Sequence, residues 1–479
     1  MASLTDRDIE AIARRIVADL KGGGAAAADG PSTASAPGAV GAFGTVDEAV
    51  AAARAAQPVF ARLPLKTRAR IIAAIRDSLI QQAAALARAA HAETGLGRVE
   101  DKVVKNLLVT ERTPGLEELG PEAVTGDHGL SLTEPAPFGV IGAITPITNP
   151  TSTIICNAIG MLAAGNAVVF NVHPGARECS ILTVALINRA IESAGGPRHV
   201  VTCLANPTIE TAQETMRHRH VRLVVVTGGG AVVKAAMSSG KRAICAGPGN
   251  PPVVVDETAH LEKAGRDIVL GASTDNNIIC TDEKEVVVVS SAADALLAAM
   301  TRAGGVLVEA DRVPQLEALL FTEMRGPRRH SPINRDLIGK DAAVILEKIG
   351  MRVPASTRLA IVEVDENHPL LWTEQMMPVL PVCRVPTVDH AIDLAVQVEG
   401  GHRHTAVMHS TNIDSLSRMA RECDCSIFVK NGRSQAGLGL DAEGFCSFTI
   451  ASPTGEGLTG PRTFSRWRRC VMVDHFRIT

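Results

Sequence analysis

Residues 221–237 read VRLVVVTGGGAVVKAAM: an apolar run rich in β-branched residues, a glycine turn, and a stretch of helical character. The run predicts a buried strand over residues 221–226, and Thr227, Gly228, Gly229 and Gly230 would deliver the chain into a helix. The same alternation recurs upstream. Residues 138–144 (FGVIGAI), 167–172 (AVVFNV) and 199–204 (HVVTCL) read as strands, and residues 176–194 as a helix stopped by Gly195 and Gly196. A second series begins near Pro251, with VVVV at 286–289, GVLVEA at 305–310, LAIVEV at 359–364 and SIFVK at 426–430. Strands alternating with helices at this spacing predict parallel, doubly wound α/β sheets, and two series predict two α/β domains. No repeat of fixed period is visible.

The chain of 479 residues is long enough for two or three domains, and 46% apolar with 21% charged residues is ordinary globular composition. Its 48 basic and 51 acidic residues leave a formal charge of −3, so no global field recruits nucleic acid or an anionic membrane. Aromatics make up 3% with no Tyr, which weakens any base-stacking platform. No apolar run reaches about 18 residues and no basic stretch followed by an apolar one opens the chain, so a cytoplasmic protein is expected. There its ten cysteines stay reduced. None forms a CxxC pair, Cys423 and Cys425 are too close for a usual zinc knuckle, and no His, Cys and carboxylate set has metal spacing.

The first twenty residues stand apart. Leu4, Ile9, Ile12, Ala13, Ile16 and Leu20 fall near helical spacing behind a Thr5 cap, which predicts an amphipathic helix within residues 1–20. Residues 21–43 (KGGGAAAADGPSTASAPGAVGAF) then form a flexible linker with a span of roughly 25 Å. A helix on such a tether either docks on its own body or binds a partner, and the lack of a core of its own favours the partner. Residues 46–94 are Ala-rich and helical.

Among chemistry-bearing residues, the glycine turn at 228–230 would present backbone N–H groups and a helix N-terminus to a phosphate, although a tight turn without a ligand fits equally well. Cys280 closes TDNNIIC (274–280), behind a helix suggested by residues 264–270. A thiol is the most nucleophilic neutral-pH side chain, and Asn276 and Asn277 either shape its pocket or cap the turn. His173, His402 and His404 lie in loops, as acids, bases, anion contacts or plain surface residues.

Four motifs in order, LAAGNAVVFNVHP (162–174), VVVTGGG (224–230), TDNNIIC (274–280) and TEQMMPVLPV (373–382), resemble the aldehyde dehydrogenase superfamily from about Val46 onward. AGPGNPPVVVD (246–256), GLGLDAEG (437–444) and TGEGLTGPRTFSRWRRC (454–470) resemble its CoA-acylating branch, associated with ethanolamine and propanediol utilisation. The N-terminal helix and linker resemble extensions that carry such enzymes into bacterial microcompartments.

The resemblance implies an aldehyde dehydrogenase-like fold. Residues 44–115 and 136–250 would form an NAD-binding domain, 251–440 a catalytic domain, and 116–135 with 441–479 a small oligomerisation region. Cys280 would be the nucleophile. Asn149, in TPITNP, would donate its amide to the oxyanion, although it adjoins Pro150 whereas hydrolytic relatives place the Asn two residues before the Pro, and an Asn-Pro turn is the alternative. Thr227, Gly228, Gly229 and Gly230 would lie at the pyrophosphate, and Glu374 would bind the ribose beside nicotinamide unless it is a surface residue. His173 and Pro174 stand where many relatives hold the adenine ribose with a Lys; no Arg is evident for a 2′-phosphate, so NAD is favoured over NADP.

Hydrolytic relatives carry a Glu that activates water. The matching stretch here, ICAGPGN, has Cys245 and Ala246, and unless a Glu from elsewhere substitutes, an acyl group on Cys280 would wait for the thiol of CoA. The implied reaction takes a short aliphatic aldehyde (propionaldehyde or acetaldehyde), NAD and CoA to acyl-CoA and NADH. A homo-oligomer is implied, with Arg462, Arg466, Arg468 and Arg469 in intersubunit pairs, and with shell or cargo proteins met through residues 1–20. Neither nucleic acid, membrane nor metal is expected. Competing readings are a hydrolytic dehydrogenase giving the free acid and a non-catalytic assembly protein.

Overall fold

The computed structural model describes residues 40–478. The helix expected within residues 1–20, and the linker as far as residue 39, lie outside them. The last two residues read as linker do not belong to one: Ala42 and Phe43 form strand β1 and pair in parallel with β6 (Val201–Leu204).

The described chain divides into two compact units. The first comprises residues 40–94, Val103–Ala246 and 445–478. It opens on α1 (Val46–Ala61), whose start is sealed by a reciprocal cap: Glu48 N–H donates to Thr45 Oγ1 (3.3 Å) and Thr45 N–H to Glu48 Oε2 (3.1 Å). In α2 (Leu65–Thr94), Ile71, Ile75, Leu79, Leu86 and Ala90 recur at helical spacing and are buried. Helix α3 (Val99–Arg112) follows. Its central sheet has the order β1-β6-β5-β4-β7-β8, all parallel, with β4 (Val140–Ile144), β5 (Ala167–Asn171), β7 (Val221–Thr227) and β8 (Ala243–Ala246). Strands β4 and β5 are buried at every position, as expected of strands covered on both faces by helices. Helices α4 (Pro150–Ala163), α5 (Arg177–Ser193), α6 (Ile209–Arg217) and α7 (Gly230–Met237) follow strands in the manner of a doubly wound fold.

Beside that sheet stands a small antiparallel one of order β18-β3-β2, with β2 (Glu122–Gly126), β3 (Gly129–Pro137) and β18 (Ser465–Val473). Val124, Trp467, Val471, Met472 and Val473 are exposed on it. Residues 445–464, part of the segment expected to join the oligomerisation region, make contacts with the parallel sheet of this unit. Thr449 Oγ1 lies 2.8 Å from Thr227 Oγ1, and Cys446 N–H donates to the Arg112 carbonyl. Of the four tail arginines, Arg462 faces Glu122 and stacks over Trp467, and Arg466 donates to the Pro137 carbonyl, so both have partners within their own chain.

The second unit comprises Gly95–Lys102 and Gly247–Gly444. Its seven-stranded parallel sheet has the order β11-β12-β13-β10-β9-β14-β15, built from β9 (Pro252–Val255), β10 (Glu285–Val289), β11 (Gly305–Leu307), β12 (Leu359–Val364), β13 (Val379–Val385), β14 (Thr405–His409) and β15 (Ile427–Lys430). Helices α8 (Leu261–Ala272), α9 (Ser290–Arg302), α10 (Val313–Leu320), α11 (Ala342–Lys348), α12 (Val388–Val398) and α13 (Ile413–Cys423) complete it. One core packs Val254, Val287, Cys383, Ala391, Ile392, Ala395, Met408 and Met419 together. Two central strands escaped the sequence reading. Strand β13 carries Pro381, a residue that argues against a central strand, and β14 is bracketed by His404 and His409, which only burial reveals as interior residues.

Candidate active site

The residues expected to act in the reaction divide between the units: Asn149, His173, Pro174, Thr227 and Gly228 to Gly230 in the first, Cys280 and Glu374 in the second.

In the first unit, Asn149 holds the N-cap position of α4 with Pro150 in the first turn, where a missing N–H costs nothing. It does not cap in the ordinary way, because its side chain makes no bond to the helix backbone. Instead the buried Lys105 donates from Nζ to Asn149 Oδ1 at 2.6 Å, and Asn149 Nδ2 donates one hydrogen to Thr148 Oγ1 at 3.2 Å. An ammonium can only donate, so it fixes which end of the amide is oxygen. The amide is thereby fixed with its oxygen on Lys105 and its nitrogen as the donating end, an orientation compatible with donation to an oxyanion.

At the end of β7, Thr227 is buried and its hydroxyl sits in a chain with Thr449 Oγ1 and Asn157 Oδ1. Gly229 caps α7 with φ −67°, and none of Gly228, Gly229 and Gly230 has a positive φ. A Cβ added at any of the three would meet nothing within 4 Å. Backbone strain and internal crowding therefore do not demand glycine here. The open space leaves the first turn of α7, whose N–H groups have no helical acceptor, clear for a ligand to approach. The residues present fit a dinucleotide pyrophosphate.

His173 is exposed at the end of β5 and its Nδ1 accepts from Gly175 N–H at 3.1 Å, with desolvation holding its pKa below the usual value. Beside it Arg177 reaches Asn206 Oδ1 at 3.1 Å. Cys245 lies in β8, and burial followed by the charge of Glu456 pushes its thiol up to about 11. Glu456, from the turn joining β16 (Ile450–Ala451) to β17 (Gly457–Leu458), is thus the carboxylate that folding brings toward the position left empty of one in ICAGPGN. Nothing local to residues 245–246 could have disclosed it.

In the second unit, Cys280 lies in the turn between a short 3-10 helix (Thr274–Asn277) and β10, and its side chain is only half-buried. Burial, then the charge of Glu374, push its thiol up to about 12, against the opposing pull of Lys284. The turn is unusual. Asp275, Asn276 and Asn277 all have left-handed φ, at 47°, 57° and 65°. Each such residue costs on the order of 1 kcal/mol, and each is held by its own side chain. Asp275 accepts from Arg98 N–H (2.6 Å) and Lys102 Nζ (2.9 Å), the latter a fully buried ion pair. Asn276 donates to the Gly339 carbonyl (2.9 Å), and Asn277 donates to the carbonyls of Ala272 (2.8 Å) and Glu283 (2.9 Å). The two asparagines therefore act as turn anchors.

Glu374 precedes β13, half-buried, close enough to Cys280 and Lys284 for their charges to interact. Burial raises its pKa, and Lys284, His402 and a donated Gly249 N–H oppose the rise. It is not a solvated surface glutamate. His404, read as one of several loop histidines, is fully buried, and burial, with the nearby His402 and Lys284, holds its pKa down at about 3. Its Nδ1 meets Thr405 Oγ1 at 2.9 Å while Nε2 has no partner. Gly249 is wedged against both the ring and the nucleophile: a Cβ there would lie 2.7 Å from the Cys280 carbonyl oxygen and 3.0 Å from His404 Cγ.

Residues 31–444 match the aldehyde dehydrogenase family. The chain belongs to that family. As an aldehyde dehydrogenase it is similar, at 48% identity over 476 residues, to an acetylating acetaldehyde dehydrogenase of Salmonella typhimurium, covering 99% of this chain and all of that one. A CoA-propanoylating propanal dehydrogenase of the same organism is 45% identical over 439 residues, 91% of this chain and 93% of the relative. Among solved structures, a propionaldehyde dehydrogenase from the Clostridium phytofermentans fucose utilisation microcompartment superposes with a TM-score of 0.89 at 46% identity, over 92% of this chain and all of that one. A Rhodopseudomonas palustris propionaldehyde dehydrogenase, solved with bound CoA and an acylated cysteine, has a TM-score of 0.88 at 49% identity over 91% and 98% of the two chains. The fold expected from the resemblance, two doubly wound α/β sheets, is the fold observed.

Proposed function

We propose that this aldehyde dehydrogenase is a CoA-acylating enzyme, oxidising a short aliphatic aldehyde such as acetaldehyde or propionaldehyde with NAD and CoA to acyl-CoA and NADH. The observation that carries the reading is the half-buried Cys280 beside Glu374 and Lys284, together with Cys245 and Ala246 where a hydrolytic enzyme keeps its base. The similarity to acetylating and propanoylating dehydrogenases supports it.

Cys280 as thiolate attacks the aldehyde carbonyl, and the resulting oxyanion takes hydrogen bonds from Asn149 Nδ2 and from the Cys280 backbone N–H. Preorganised donors of this kind are worth roughly 3 to 4 kcal/mol each. A bound nicotinamide dinucleotide would supply the acceptor for the hydride that leaves as the carbonyl re-forms. Thr227 and the glycine turn hold the pyrophosphate and Glu374 the adjoining ribose, while His173 and Pro174 border the adenine side. Cys280 then carries a thioester. The CoA sulfur, as thiolate, attacks the thioester carbonyl and displaces the Cys280 thiolate, which gives acyl-CoA and frees Cys280.

Glu456 gives the hydrolytic reading its one specific support, since it lies near Cys245 with Oε2 unpartnered. The deciding assay supplies short aldehydes and NAD with and without CoA. Acyl-CoA formed in step with NADH, and little NADH without CoA, is expected; fast NADH release without CoA and free acid as product would overturn the proposal.

The exposed antiparallel sheet, with Trp467, Val471, Met472 and Val473 on its edge strand, suits a homo-oligomer. Residues 1–20 suit docking to shell or cargo proteins of a bacterial microcompartment, which would place the enzyme in the cytoplasm within such a body. No described helix is long and apolar enough to cross a membrane.

A further inference from the structure

Lys284 is among the largest fully buried side chains in the protein and lies four residues after the nucleophile, within the charged run TDEKE. Burying an ammonium is costly unless every hydrogen finds an acceptor. Here all three do. Lys284 Nζ donates to the Asn277 carbonyl and to Asn277 Oδ1, each at 2.7 Å, and to the Ile279 carbonyl at 3.2 Å.

The choice of acceptors is informative. Asp282, Glu283, Glu285 and Glu374 all lie nearby, yet none of the hydrogen bonds of Lys284 ends on a carboxylate. Its side chain is therefore not explained as one half of a contact ion pair that offsets a neighbouring acid. It is spent on neutral oxygens of the left-handed turn, and those oxygens belong to the residues immediately ahead of Cys280. The Ile279 carbonyl also accepts from Asp282 N–H at 3.1 Å, and Asp282 Oδ2 accepts from Ile279 N–H at 3.2 Å, so Ile279, the residue before Cys280, is held through both its N–H and its carbonyl.

We propose that Lys284 is a positioning residue for Cys280: its ammonium locks the Asn277 and Ile279 carbonyls, and thereby the direction of the sulfur, while keeping a fixed positive charge close to it. The proposal rests on Cys280 being the nucleophile. In a pocket where burial and Glu374 both disfavour a thiolate, Lys284 is the chief charge favouring it. The groups facing this ammonium are Asp282 and Glu285 on its own segment, Glu374 ahead of β13, and His404 ahead of β14. Glu399 after α12 faces Glu285 in turn. The same charge would act on a second thiolate arriving from CoA.

The test is the pH dependence of Cys280 alkylation by iodoacetamide, followed by peptide mapping on the full-length protein, beside steady-state NADH formation. Lys284→Met is expected to move the Cys280 ionisation upward by about one pH unit or more, slowing alkylation at pH 7.5 at least about tenfold. An alkylation profile unchanged from the parent overturns the proposal. Lys284→Arg keeps charge in a head of different shape: it is expected to retain most of the alkylation profile while kcat falls about tenfold with little change in KM for CoA. Parent-like kcat in this variant, or an ionisation displaced as far as in the Met variant, overturns it. Failure of both variants to fold would reduce Lys284 to a fold-stabilising ion and equally overturns it. A parent protein that makes no acyl-CoA would sink the proposed reaction instead, and leaves the alkylation comparison standing.

Discussion

Lys105 Nζ lies 2.6 Å from Asn149 Oδ1, both buried, and this bond makes Asn149 a hydrogen-bond donor toward its remaining side. Without the lysine the amide would be free to turn its oxygen outward, and an oxygen facing an oxyanion repels it.

Asn149→Ala is therefore expected to lower kcat by about 10²- to 10³-fold, the usual effect of deleting an oxyanion donor. Lys105→Met should lower it by a smaller factor, about tenfold or more, with the aldehyde KM little changed. Steady-state NADH formation measures both. A Lys105→Met enzyme as fast as the parent would show that the amide needs no such tether.

Cys280→Ala should abolish NADH formation with any aldehyde, whereas Glu456→Gln should leave CoA-dependent turnover within about twofold of the parent. Free acid that disappears in Glu456→Gln would instead identify Glu456 as a base for water.

The Lys102 and Asp275 pair is fully buried, and Asp275 also accepts from Arg98 N–H. Asp275→Ala leaves an unpaired buried ammonium and a left-handed turn without its anchor. A loss of about 3 to 5 kcal/mol is expected, read as a lowered urea midpoint. A midpoint within error of the parent would mean that the ion pair contributes nothing to the fold.

Burial pushes Glu283 up to about 7 although Ser434 N–H and Ser434 Oγ both donate to it, at 2.7 and 2.8 Å. A carboxyl whose folded pKa exceeds its unfolded value of about 4.5 stabilises fully below pH 4.5, and that contribution is lost as pH rises through 7. His404, held down at about 3, acts in the opposite sense: its contribution is present above about pH 6.5 and is lost as pH falls toward 3. Glu283→Gln should therefore flatten the decline in urea midpoint between pH 5 and 8. An unaltered slope would mean that Glu283 is ionised in the folded protein throughout that range.

How much of this was legible in the chain varies by residue. The strands at 140–144, 167–171, 201–204 and 221–227 and the helix at 177–193 announced themselves through apolar runs and glycine stops, because buried parallel strands need continuous apolar sequence. Strand β13 did not, since Pro381 hides it, and β14 did not, since His404 and His409 look solvent-bound until burial is known. The charged run TDEKE beside VVVV was the one available sign of the clamp around Cys280.

The amino-acid order alone determined that two parallel α/β units would form and that one thiol, Cys280, stood among the motifs of an aldehyde dehydrogenase. Only the folded chain decided the partners. Lys105 meets Asn149 across 44 residues, Lys102 meets Asp275 across 173, and Glu456 comes toward Cys245 from the far end of the chain. Local sequence records propensity and periodicity, which depend on near neighbours. The aim of an amide and the ionisation of a thiol depend on whichever distant charges and carbonyls folding brings against them.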